Sequence, residues 1–146
     1  MPLLVRDSPH RFQPAVIPCH RVRSQYGVHL ISQSLKHNTT LIELSLAGNS
    51  IGDTGATLLA ASLQENNTLE ILNLESNGIG CEGTKSIVDA LLHNTVLRCL
   101  ALSENPIGDD GAKAILRCLR DTSSLHNLLY NSKCHNSIYH IEEATY

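Results

Sequence analysis

Aromatic side chains are almost missing from this chain: its 146 residues include one Phe, four Tyr and no Trp. Any core must therefore be aliphatic, and a binding surface has few of the large aromatic anchors that dominate interface hot spots. The five cysteines (Cys19, Cys81, Cys99, Cys118, Cys134) are odd in number and lack C-x-x-C spacing, which disfavours a disulfide framework or a zinc site and favours reduced thiols. No run approaches the ~18 apolar residues of a membrane helix. Arg6, Asp7 and Arg11 interrupt the apolar stretch that a secretion signal needs. Pro2, Pro9, Pro14 and Pro18 oppose the amphipathic helix of a mitochondrial transit peptide. The expectation is a cytoplasmic chain with no membrane contact. Clustered basic charge is scarce too. Residues 1–26 hold four Arg against one Asp, but residues 41–124 hold eleven acidic side chains against five basic. Phosphate neutralisation needs the opposite balance, so nucleic acid is excluded as a partner.

What the chain has is one phrase, said three times. Leu41-x-x-Leu44-x-Leu46-x-x-Asn49-x-Ile51-Gly52 recurs as Leu69-x-x-Leu72-x-Leu74-x-x-Asn77-x-Ile79-Gly80 and Leu97-x-x-Leu100-x-Leu102-x-x-Asn105-x-Ile107-Gly108, and Leu125 opens a fourth. The step is 28 residues. Within each unit, Leu44 and Leu46 alternate with polar or small residues, the period of a strand with one buried face. Ala56, Leu59 and Leu63 then recur at helical spacing, as do Ile87, Val88 and Leu91, then Ala112, Ile115, Leu116 and Leu119. Such a period and pattern mark a leucine-rich repeat array. The predicted fold class is α/β, a leucine-rich repeat solenoid: a short curved horseshoe with parallel strands on the concave face and helices on the convex face. About three and a half repeats fill residues 26–130. Residues 1–25 lack the register, since the positions 28 before Leu41, Leu44 and Leu46 are Gln13, Val16 and Pro18, and are expected to be irregular. Residues 131–146 lose it, with Lys133 in the asparagine position, and read as a divergent tail, either a cap or the end of an alternative product.

Specific residues follow from this geometry. Asp53 and Asp109 stand where a helix N-cap belongs. Asn38, Asn66 and Asn94 close the helices, where Asn tolerates the left-handed conformation. Asn49, Asn77 and Asn105 sit where the chain leaves the strand, and their amides are expected to link successive repeats into a ladder. Gly55, Gly83 and Gly111 mark close approach at the helix starts.

With I-G-D-T-G-A-x-x-L-A-x-x-L (51–63) and I-G-D-D-G-A-K-A-I-L-x-x-L (107–119) in view, the chain resembles the ribonuclease-inhibitor type of leucine-rich repeat. The I-G-D-x-G-A phrase and the N-x-T-L joints (38–41, 66–69) look most like NOD-like receptor repeats. The resemblance covers residues 26–130 and implies a non-enzymatic protein-interaction module. It leaves two alternatives: a regulator resembling the Ran GTPase-activating protein, and a structural or inhibitory segment of a larger receptor.

Other motifs mislead. Gly78-Ile79-Gly80-Cys81-Glu82-Gly83 matches the dinucleotide fingerprint G-x-G-x-x-G, but its neighbours read Ser50…Gly55 and Pro106…Gly111, so two glycines belong to the repeat itself. Gly83-Thr84-Lys85-Ser86 looks like a phosphate loop, with Thr84 misplaced between glycine and lysine. Cys134, His135 and His140 lie unpatterned in the tail and make no metal site. The sequons at Asn38 and Asn66 fall on the helix-to-strand joint and read as capping residues. No nucleophile–base or paired-carboxylate set recurs, so the expectation is no catalysis, cofactor, metal or small-molecule substrate.

The surface left for work is the floor of the curve. If Leu44, Leu72 and Leu100 point inward to the core, then Glu43, Ser45, Ile71, Asn73, Glu75, Cys99, Ala101, Ser103 and Glu104 face the hollow. This small-residue, acidic floor is expected to bind a protein with a basic rim, Cys99 serving as a small filler.

Overall fold

The computed structural model describes residues 15–16, 25–121, 127–131 and 138–140. Two residues of the N-terminal segment form a strand, β1 (Ala15–Val16). Strand and helix then alternate: α1 (Gln25–His37), β2 (Glu43–Ser45), α2 (Gly52–Leu63), β3 (Ile71–Asn73), α3 (Cys81–Leu91), β4 (Cys99–Ala101), α4 (Gly108–Asp121) and β5 (Asn127–Asn131). A last strand, β6 (Ile138–His140), follows. The six strands make one sheet in chain order, parallel from β1 to β5, with β6 antiparallel.

The register obeys the 28-residue step. Leu44, Leu72, Leu100 and Leu128 stand side by side, as do Glu43, Ile71, Cys99 and Asn127. The regular strands are three residues long because the chain turns at once. Cross-repeat hydrogen bonds continue into the bend: the Leu46 N–H donates to the Asn73 carbonyl (2.9 Å), Gly48 N–H to Glu75 O (2.9 Å) and Ser76 N–H to Ser103 O (3.0 Å). Between sheet and helices lies an aliphatic core led by Leu44, Leu46, Leu59, Leu63, Leu72, Leu74, Ile79, Ile87, Leu97 and Leu100, each at most 1% exposed. Every such side chain stabilises the fold by roughly 1.5–3 kcal/mol, which is how the chain dispenses with aromatics.

Both ends differ from expectation. The 28-residue step sets Val16 beside Leu44, but the sheet sets Ala15 there and Val16 beside Ser45. A one-residue slip moves a strand's side chains to the opposite face, and Val16 is 62% exposed. At the other end, Ile138–His140 of the expected tail returns along β5. The remainder of both segments lies outside the described residues.

The asparagine ladder is present. The Asn49 N–H donates to Asn77 Oδ1 (2.9 Å), and the Asn77 N–H donates to Asn105 Oδ1 (3.0 Å). Each amide nitrogen returns to the strand carbonyls, Asn77 Nδ2 to Leu46 O (2.9 Å) and Asn105 Nδ2 to Leu74 O (2.8 Å).

Asn38, Asn66 and Asn94 form a second ladder at the opposite end of the strands. Asn66 Nδ2 donates to Leu35 O (2.8 Å) and Asn38 O (3.0 Å), and Asn94 Nδ2 to Leu63 O (2.7 Å) and Asn66 O (3.1 Å). Their Oδ1 atoms accept the next strand's first amides, Leu41 N–H at 2.6 Å, Leu69 N–H at 2.8 Å and Leu97 N–H at 2.8 Å. None of the three is left-handed; among the described residues positive φ at a non-glycine occurs at Ser50, Ser76 and Glu104. These asparagines therefore act by stapling one helix end to the next repeat, not by tolerating αL.

Asp53 corrects a second expectation. It does not cap its own helix: α2 has no side-chain cap. Its Oδ1 instead accepts Gly80 N–H (2.7 Å) and Gly83 N–H (3.0 Å), at the start of the following helix α3. The cap is thus made across repeats. Replacing Asp53 by Ala is expected to lower stability by about 1 kcal/mol. Asp109→Ala, with no helix after α4 to cap among the described residues, should lose less; urea unfolding of the two variants measures the difference.

Candidate protein-binding face

The sheet buries one face and opens the other. Leu44, Leu72 and Leu100 are at most 1% exposed, while their neighbours Glu43, Ser45, Ile71, Asn73 and Cys99 are half-buried on the side away from the helices. Strand pairing brings these five residues, with Ala101, into two short rows, Glu43–Ile71–Cys99 and Ser45–Asn73–Ala101. Just past the strands, Glu75, Ser103 and Glu104 are half-buried in the turns. The expected residues are therefore brought together, with one exception. Ala101 is 5% exposed, because a methyl group is too short to emerge between its neighbours, and it offers no contact.

Two members are partly committed to the fold. Asn73 Oδ1 accepts the Glu75 N–H (2.9 Å), and its Nδ2 meets Glu75 Oε2 at 3.5 Å, so Asn73 orients Glu75. Glu104 holds a left-handed φ of 60°, at a position filled by Gly48 and Ser76 in the preceding repeats. Burial pushes the Cys99 thiol up from its ordinary value, and the Glu43 carboxylate adds to the shift. The protonated thiol is a weak nucleophile, which suits a filler residue.

The misleading motifs find physical explanations. The N–H groups of Gly80 and Gly83, where a pyrophosphate would sit in a dinucleotide site, are already held by the Asp53 carboxylate. Lys85 points along the surface of α3 to Glu82 (3.0 Å); that bond, with Cys81 adding to it, raises its pKa. The amide of Asn66 is consumed by the second ladder. Among the described residues no group of His, Cys, Asp and Glu could hold a metal ion, and Cys81, Cys99 and Cys118 form no disulfide. Cys134 and His135 lie outside the described residues, as does the side chain of His140. No helix among the described residues is long and apolar enough to cross a membrane.

Residues 20–146 match the family model for the TMOD/LMOD leucine-rich domain. The chain belongs to the TMOD/LMOD leucine-rich domain family. A search of curated proteins gives no significant match. Among solved structures the chain is similar to "Leiomodin-1 Actin-Binding Site 2 (ABS2)", at 25% identity and a TM-score of 0.72, covering 82% of this chain and 71% of that one. It is also similar in fold to the tropomodulin C-terminal domain from Caenorhabditis elegans, at 15% identity and a TM-score of 0.70, covering 82% of this chain and 75% of that one. The leucine-rich repeat assignment stands at family level. The finer expectation of a NOD-like receptor does not: the family found is TMOD/LMOD, and neither the GTPase-activator nor the receptor-segment alternative gains support. I-G-D-x-G-A serves the helix start and, at Asp53, the cross-repeat cap, which are structural roles, so it did not discriminate among subfamilies.

Proposed function

We propose that this chain is a cytoplasmic, non-enzymatic protein-binding module whose partner is actin. The observation that carries the reading is family membership together with the likeness, over 82% of the chain, to a leiomodin-1 domain described as an actin-binding site. The working surface is the outward face of the strands: Glu43, Ser45, Ile71, Asn73, Glu75, Cys99, Ser103 and Glu104. Curvature favours that face. Neighbouring strands sit ~4.8 Å apart and packed helices ~8–10 Å apart. A stack with strands on one side and helices on the other must bend, with the strands inside, which makes the face a concave floor. Three carboxylates on it complement a basic patch on the partner, and the lack of aromatic anchors predicts moderate affinity.

Fluorescence anisotropy against purified actin, monomeric and filamentous, tests this. The unaltered chain is expected to bind at least one form. Glu43→Lys, Glu75→Lys, Glu104→Lys together should weaken binding at least about tenfold, with folding checked by circular dichroism. Absence of binding to either form sinks the actin reading. Binding untouched by the triple variant moves the contact off this face.

A further inference from the structure

The outer grooves between successive helices are not alike. Between α1 and α2 a polar bridge spans the groove: Lys36 Nζ meets Glu65 Oε1 at 2.6 Å. Between α2 and α3 the bridge joins Thr57 Oγ1 and Ser86 Oγ, at 3.1 Å. Both bridges fail between α3 and α4. Two steps of 28 from Lys36 and Glu65 stand Leu92 and Asp121, and one step from Thr57 and Ser86 stand Lys85 and Ala114. Leu92 offers Asp121 no donor, and Ala114 offers Lys85 no acceptor. Here the groove is open, with a volume of about 470 Å3.

Its floor is apolar. Val88 and Cys118 are at most 7% exposed and Ala114 is half-buried, with the Cys118 thiol donating to the Val88 carbonyl at 3.8 Å. Leu92 stands at the edge of this floor, 47% exposed. The same position is polar in the other repeats, as Lys36, Gln64 and Arg120, so an exposed leucine there departs from the period.

Charge is uneven along the groove. At the end where both helices begin, Lys85 pairs with Glu82 (3.0 Å) and Lys113 with Asp110 (3.2 Å). Toward the end where they finish stand Asp89, Asp121 and Arg117, none of them in an ion pair among the described residues. Two carboxylates there outnumber one guanidinium, and the C-terminal ends of α3 and α4 add partial negative charge.

We propose that this groove docks a short extended segment of a partner protein, carrying an apolar residue and a lysine or arginine two positions apart. The apolar side chain lies on Val88, Leu92 and Ala114, and the cation reaches Asp89 and Asp121. Residues 85 to 92 of α3 span ~10 Å at ~1.5 Å per residue, the length of about three extended residues. Side chains two apart in such a segment face the same way. Six of the ten lining residues are charged, whereas pockets for drug-sized molecules are predominantly apolar, which favours a peptide over a small ligand. The groove is on the helix side of the stack, separate from the strand face, and does not depend on actin being the partner there.

A phage library of random heptapeptides, selected on the full chain under reducing conditions, tests this. Enriched peptides are expected to share an apolar residue and a basic one two positions apart. Leu92→Lys rebuilds, opposite Asp121, the bridge that Lys36 makes with Glu65, so it closes the groove and should leave folding intact. It should weaken an enriched, labelled peptide about tenfold or more by anisotropy, the loss of one leucine-sized contact. Should Leu92→Lys not fold by circular dichroism, Leu92→Gln, which copies Gln64, serves the same measurement. Asp121→Asn should weaken the peptide and Arg117→Gln should tighten it, each about two- to fivefold, the size of an exposed charge pair. No enrichment, an acidic consensus, binding indifferent to Leu92→Lys, or charge variants acting in the opposite sense overturns the proposal. So does self-association of the chain that Leu92→Lys abolishes, since the groove would then belong to a second copy.

Discussion

Asn105→Ala is expected to lower stability by about 4 kcal/mol, a large share of the roughly 5–15 kcal/mol that holds a domain together. The amide of Asn105 is 3% exposed and serves two repeats at once. Its Oδ1 accepts both Asn77 N–H and Ile79 N–H, each at 3.0 Å. Its Nδ2 donates to Leu74 O, Leu102 O and Ser103 O at 2.8, 2.9 and 3.2 Å. Truncation strands two buried donors, at roughly 1–3 kcal/mol each, and no rearrangement of a methyl group can replace them. Asn77→Ala should be milder. It strands one donor, Asn49 N–H, while Leu46 O keeps Asn49 Nδ2 and Glu75 O keeps Gly48 N–H. Urea titration of both variants gives the order, and an Asn77→Ala loss equal to or above that of Asn105→Ala contradicts this account. Asn67→Ala, at an exposed position beside the second ladder, should leave the midpoint unchanged.

The second large effect is expected at Gly83. A Cβ there would stand 2.6 Å from Asp53 Oδ1 and 2.9 Å from both Asp53 Cα and Ile79 Cγ2. Backbone of the preceding helix cannot retreat without opening the stack, so Gly83→Ser should cost about 2–3 kcal/mol through overpacking. It would also displace the carboxylate that caps α3. Gly78 supplies the control. Its φ is +69°, but no atom lies within 4 Å of its would-be Cβ, and its register equivalent Ser50 holds a φ of 54°. Gly78→Ser should therefore cost well under half as much. Thermal melts of the two serine variants check this; equal losses would mean that backbone conformation, not helix contact, decides both sites.

Much of the fold was legible because a repeat reports itself. The leucine triplets fixed strand register to the residue, and Asn49, Asn77 and Asn105 announced a ladder by recurring where the strand ends. Asp53 and Gly83 were legible as special positions but not as partners. They are 30 residues apart, and one-dimensional reading assigns a cap to the nearest helix. Asn38, Asn66 and Asn94 were misread for the same reason, since a joint asparagine has a local explanation ready. Of the candidate face, Glu43, Ser45, Ile71, Asn73 and Cys99 lie on the side of the strands that alternation gives them, and Ala101 shares their row but is buried. Alternation gives direction, and exposure depends also on side-chain length and on neighbours two strands away.

The sequence by itself determined the repeat, the aliphatic core, and the buried and open faces of the regular strands. Those properties depend on contacts within one 28-residue unit or on its period, which the chain spells out. Only the tertiary structure decided which helix each aspartate caps, that Val16 enters the sheet one residue out of step, that β6 folds back along β5, and that a groove opens between α3 and α4. Each of these depends on contacts between one unit and the next, which the period of a single unit does not spell out.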